Sequence, residues 1–131
     1  MRTRIAVAAV AVAIGVTGAG VGGGMTSSSR APVINAKRLF LKGKPTTGAM
    51  ACGSCHALKA VGTHGKVGPS LDTLAKDDDV AAIITMIVSP NAEIVKGYPA
   101  NVMPKNYAKT LTKREIRTLA TWISRHSRHT G

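Results

Sequence analysis

The chain has 131 residues, room for one domain and not two. It carries 18 Lys and Arg against 6 Asp and Glu, and 44% of its residues are hydrophobic, which excludes disorder for most of its length. Two cysteines exclude a multi-bridge disulfide framework and a four-cysteine zinc site, and four aromatic residues (Phe40, Tyr98, Tyr107, Trp122) leave a small core short of large side chains.

Residues 1–24 open on Arg2 and Arg4 and continue as an uncharged run from Ile5 to Gly24, rich in Ala, Val and Gly. A basic start, an apolar stretch and small residues at the end are the layout of a secretory signal. The run is also long enough to span a bilayer, but its glycine-rich end suits a helix poorly. A signal peptide is therefore favoured over a permanent membrane anchor. Either way the rest of the chain is expected outside the cytoplasm, periplasmic or on the outer face of the membrane. Gly18 to Gly23 satisfies a GxGxxG pattern, but a linker follows it and the first acidic residue is Asp72, so a dinucleotide site is set aside. Residues 25–34 read as that linker, and 35–128 as the folded domain.

Asn35 to Leu41 predicts a first short helix, with Leu39 and Phe40 as its buried contacts and Gly43, Pro45 and Gly48 breaking it. Next comes Cys52-Gly-Ser-Cys55-His56, the CxxCH attachment signature of c-type haem. Two thiols three positions apart, on a turn entering a helix, can each bond one porphyrin vinyl group. His56 is then placed under the iron as proximal axial ligand. Gly53 and Ser54 are small enough for the macrocycle to approach the backbone. A redox disulfide would normally follow a strand in a βαβ context, and none is visible. Zinc on Cys52, Cys55 and His56 would need a fourth ligand, for which only His64 offers itself. Export agrees with haem, which is attached outside the cytoplasmic membrane. A large planar apolar group also supplies the core that four aromatics cannot.

Gly62 to Pro69 reads as a loop. Asp77, Asp78 and Asp79 then precede a helix whose Val80, Ile83, Ile84, Ile87 and Val88 form one apolar stripe. The acidic triplet suits the positive end of that helix, and Pro90 ends it. Asn91 to Lys109 reads as an irregular loop with Pro99 and Pro104. Thr112 and Glu115 form a capping box for a last helix with Ile116, Leu119, Ala120 and Ile123 on its apolar face. Lys113, Arg114, Arg117, Arg125 and Arg128 take its solvated positions. There is no strand alternation and no internal repeat, so the expected class is all-α, three to five helices wrapped around one covalently attached haem.

The iron needs a ligand on its other face. Met50 is too close to Cys52 to cross the porphyrin, and Met86 sits in a helix where packing is the simpler role. His126 and His129 fall in a basic tail, and His64 follows His56 too closely. Met103 lies in a loop 47 residues after His56, stiffened by Pro104, and is favoured.

From Asn35 to Arg125 the sequence resembles the class I c-type cytochromes, such as small bacterial monohaem cytochromes and the cytochrome c domain of some haem–copper oxidase subunits II. The landmarks are Leu39-Phe40, Cys52-Gly-Ser-Cys55-His56, Gly68-Pro69-Ser70-Leu71, Gly97-Tyr98-Pro99 through Asn101-Val-Met103-Pro104, and Leu119 to Trp122. The resemblance implies that Cys52 and Cys55 carry haem c, and that His56 and Met103 are the axial ligands. It further implies that the Pro69 carbonyl accepts a hydrogen bond from the ligand histidine. Phe40 and Trp122 match an aromatic contact between first and last helices, and Tyr98 and Asn101 match weaker haem contacts. The basic tail after Trp122 departs from the pattern.

The expected function is that of a single-electron carrier rather than an enzyme, with no small-molecule substrate. Sixteen of the 18 basic residues and all six acids lie beyond residue 24, so about ten net positive charges remain without the N-terminal segment. Such a field steers encounter with redox proteins that present acidic docking surfaces. Nucleic acid is not an expected partner, because the exported chain has almost no aromatics for stacking. The alternatives are a haem subunit of an oxidase or dehydrogenase complex, and a haem enzyme or gas sensor with a labile distal ligand.

Overall fold

The computed structural model describes residues 31–75 and 78–128. The expected signal or anchor, most of the linker, Asp77 and His129 lie outside the described residues. Helix α1 spans Ala36–Lys42, shifted by one residue from the expected Asn35 to Leu41. The Asn35 side chain accepts from the Arg38 N–H at 2.9 Å, which makes Asn35 the cap and not the first turn. Gly43, at φ 64, ends the helix and donates its N–H to the Leu39 carbonyl. Ala36 and Phe40, four apart, bury one face.

The second strand of a hairpin lies in the segment Gly62 to Pro69, expected to be a loop, and the first lies just before it. Strand β1, His56–Leu58, pairs antiparallel with β2, Thr63–Lys66, in the register Leu58↔Thr63 and Ala57↔His64. The Thr63 hydroxyl oxygen also accepts the Leu58 N–H at 2.9 Å. Three residues of alternating burial are too few to read as a period of two, which is why the sequence pattern hid this strand. The cysteine turn therefore leads into β1 rather than into a helix.

A short helix α2, Leu71–Leu74, precedes α3, Val80–Val88. Asp79 caps α3, its carboxylate accepting from the Ala82 N–H at 2.7 Å. Ile83 and Ile87 are buried, with Val80, Ile84 and Val88 packed around them. The helix closes at Ser89, because the residue before Pro90 is pushed out of the α region. The long loop that follows includes a last turn of helix, α4, Tyr107–Thr110.

Helix α5, Lys113–Arg128, is the platform on which α1 and α3 both pack. The Phe40 and Trp122 rings lie 5.3 Å apart at 47°, joining α1 to α5. At the start of α5 the Thr112 N–H donates to Glu115 at 2.8 Å, and the Glu115 N–H donates back to the Thr112 hydroxyl at 3.2 Å. Lys44 adds a salt bridge to the same carboxylate at 2.8 Å. At the other end the tail is not simply solvated: the His126 ring stacks on Trp122 at 4.3 Å, and Ser124 and Ser127 are buried. No helix among the described residues is long and apolar enough to cross a membrane.

The hydrogen bond from Lys44, foremost, holds Glu115 below its ordinary value of 4.5. A carboxylate depressed on folding contributes stability above its unfolded value, and that contribution is lost as pH falls through the folded one. Glu115→Gln is expected to cost about 1 kcal/mol at neutral pH in chemical denaturation. The gap to the parent is expected to narrow below pH 4.5, and a constant gap would take the carboxylate charge out of the account.

Candidate haem site

Cys52–Ser54 form a single 3-10 turn, closed by the Cys55 N–H donating to the Cys52 carbonyl at 3.1 Å. Ser54 tightens it by donating its hydroxyl to the Ala51 carbonyl at 2.6 Å. Gly53 also has a packing reason to be small. A Cβ there would run into the Thr63 methyl and the Phe40 ring, so the turn is pressed against the protein on that side. Cys52 and Cys55 sit at the two ends of this turn and are not linked to each other. Burial pushes the Cys52 thiol up to about 11.

His56 is buried at 8% exposure, at the start of β1. Its Nδ1 lies 2.8 Å from the Pro69 carbonyl oxygen. A carbonyl only accepts, so Nδ1 carries the proton and donates. Burial, opposed by this bond, lowers the imidazole below its ordinary value and keeps the ring neutral. A neutral ring protonated on Nδ1 leaves the Nε2 lone pair for a metal, and the Pro69 bond fixes its orientation.

The ring opens onto a largely apolar cleft. Leu71, Ile83, Ile87 and Tyr107 form apolar parts of its lining, which Cys52 and Cys55 also border. Tyr107 is anchored by donating its hydroxyl to the Met50 carbonyl at 3.2 Å, and burial pushes its pKa above the usual phenol range. Of the distal candidates, Met103 lines this cleft, and so do Met50 and Met86. Met50 is 53% exposed at the rim. His64 is exposed on β2, and His126 is engaged with Trp122. Tyr98 lines the cleft, and Asn101 stands in the loop that carries Met103.

No cluster of three or more His, Cys, Asp or Glu able to hold a metal ion exists among the described residues, which disfavours zinc. The donor set fits haem instead: two thiols on one turn, a neutral imidazole beside them, and an apolar cleft with thioether sulfurs in its lining.

The close packing of two glycines escaped the sequence reading. Gly68 lies against the His56 ring, where a Cβ would clash with its ring atoms. Gly65 lies as closely against the Cys55 backbone. For Gly65 the only signal was the run of glycines, which reads equally well as a turn; for Gly68 there was also its place before Pro69 in the landmark Gly68-Pro69-Ser70-Leu71.

Helices packed around an apolar cleft, with a CxxCH turn at its edge, define a haem protein. The family described as "Cytochrome c" matches residues 36–127, and the chain belongs to that family. It is thus a c-type cytochrome of class I: haem c is bound covalently, with Cys52 and Cys55 in the attachment positions, and it serves electron transfer. Among solved structures the chain is similar to the c-type cytochrome SorU from Sinorhizobium meliloti, at 26% identity over 71% of this chain and 87% of that one, with a TM-score of 0.48. No curated protein matches the chain.

Proposed function

We propose that this protein is a single-electron carrier with His56 and Met103 as axial ligands, passing electrons between redox proteins outside the cytoplasm. The observation that carries the reading is the His56–Pro69 hydrogen bond, which readies Nε2 at the edge of a cleft that Met103 also lines. Haem supplies an iron centre that exchanges one electron, and methionine ligation raises its potential. The chain's contribution is to fill both axial positions with its own side chains, which leaves no open site for a substrate. Its apolar lining excludes water.

Val67, Ile94 and Val102 are exposed apolar side chains that border the cleft mouth with Met50. They give a partner an uncharged patch to seat on, while the net charge of +12 draws acidic surfaces toward it. The cationic, exported character read from the sequence supports an extracytoplasmic carrier.

The test is the visible spectrum of protein expressed with export and haem maturation. A covalent low-spin spectrum is expected, absent in Cys52→Ala/Cys55→Ala and high-spin in Met103→Ala. Oxidation of the reduced protein by the anion hexacyanoferrate(III) is expected to slow as ionic strength rises. A high-spin parent would move the function to ligand binding, and a rate indifferent to salt would remove the electrostatic steering.

A further inference from the structure

The loop that bears Met103 is held by a side-chain knot on both sides of that residue. Asn101 is the one non-glycine residue in the left-handed region among the described residues, at φ 64. Asparagine tolerates this conformation because its short amide bonds locally. Its backbone N–H donates to the Asn91 Oδ1 at 3.0 Å, and the Asn91 Nδ2 donates back to the Asn101 Oδ1 at 2.8 Å. Lys105 Nζ donates to the same oxygen at 3.0 Å. Asn91 therefore spends its whole amide on one residue ten positions along the chain.

The placement gives these bonds their meaning. Asn91 follows Pro90 directly after α3, and α3 supplies Ile83 and Ile87 to the haem cleft. Asn101 and Lys105 flank Met103 two residues to either side. The backbone bonds of this loop are local, from Ala92 to Ser89 and from Tyr98 to Val95, and neither ties its Met103 end to a wall of the cleft. We propose that Asn91, acting through Asn101 with Lys105 as a second anchor, is a positioning residue that holds Met103 on the iron. The proposal rests on Met103 being the distal ligand.

Imidazole competes with methionine for the sixth position, so its apparent affinity for the ferric protein measures how often Met103 leaves. Asn91→Ala is expected to bind imidazole about tenfold tighter than the parent. Asn101→Gly keeps the left-handed backbone without strain and loses the side-chain oxygen; it is expected to show a similar gain. Lys105→Ala, losing one exposed bond, is expected to gain only about threefold. Glu115→Gln, remote from the loop, serves as the control for general destabilisation and is expected to leave the affinity unchanged.

The ferric sulfur-to-iron charge-transfer band is read in parallel. If Met103→Ala retains that band, the ligand assignment and the positioning role fall together. If Met103→Ala loses it while Asn91→Ala and Asn101→Gly bind imidazole as the parent does, the positioning role is overturned and the ligand assignment stands. An equal gain in Glu115→Gln would overturn it as well. Should Asn91→Ala fail to fold, Asn101→Gly decides.

Discussion

Phe40→Ala is expected to lower stability by about 3–5 kcal/mol in chemical denaturation. The side chain is fully buried, at 0% exposure. Its ring meets Trp122 of α5 on one side and approaches Gly53 of the cysteine turn on the other. Removing it leaves a cavity at the junction of the two terminal helices and the haem attachment turn, lined by groups that cannot all collapse at once. Domains of this size are stable by only about 5–15 kcal/mol, so the loss is a large fraction of the whole. The chain has only one Phe. Phe40→Leu is expected to fall between parent and alanine. A loss for Phe40→Ala below about 1.5 kcal/mol would mean that Trp122 moves in to close the cavity.

What was legible from sequence follows the range over which each signal acts. The CxxCH turn is local chemistry, and Cys52, Cys55 and His56 could be assigned from spacing alone. Helices α3 and α5 repeat an apolar period over several turns, and Thr112 with Glu115 marks the start of α5 within four residues. The hairpin was hidden because β1 is three residues long and begins with the histidine already given to another role. The tightness of Gly53 and Gly68 depends on side chains from elsewhere in the fold, Phe40 and His56, and nothing at the glycines themselves announces it. His126 looked like tail because its partner, Trp122, is the same residue that packs on Phe40. Asn91 and Asn101 are ordinary loop residues in sequence, and only the fold makes them a pair. For the distal ligand the cleft alone does not choose, since Met50, Met86 and Met103 all line it, while His64 is exposed on β2 and His126 packs on Trp122.

The glycine before Pro69 exposes the proximal side to a sharp test. Gly68→Ala places a Cβ against Cε1, Nδ1 and Nε2 of His56, closer than real Cβ atoms come to anything. The obstacle is not the free end of a flexible chain. It is a buried ring held at 2.8 Å by the Pro69 carbonyl, and the Gly68 N–H is itself tied to the Cys55 carbonyl at 2.9 Å. Either the ring turns and gives up the bond that orients it, or the backbone between Cys55 and Pro69 moves with the attachment turn. Disturbing the partner that orients a ligating histidine typically weakens the metal site 10–100-fold. Gly68→Ala is expected to lower the fraction of chain carrying mature low-spin haem and to raise the high-spin signal of what remains. Gly62→Ala supplies the contrast: at φ 69 it strains the backbone, but its Cβ meets nothing within 4 Å. That variant is expected to cost about 1–2 kcal/mol of stability with the spectrum unchanged. If Gly68→Ala matched Gly62→Ala in both readouts, the close approach to His56 would be incidental, and the ring would owe its orientation to Pro69 alone.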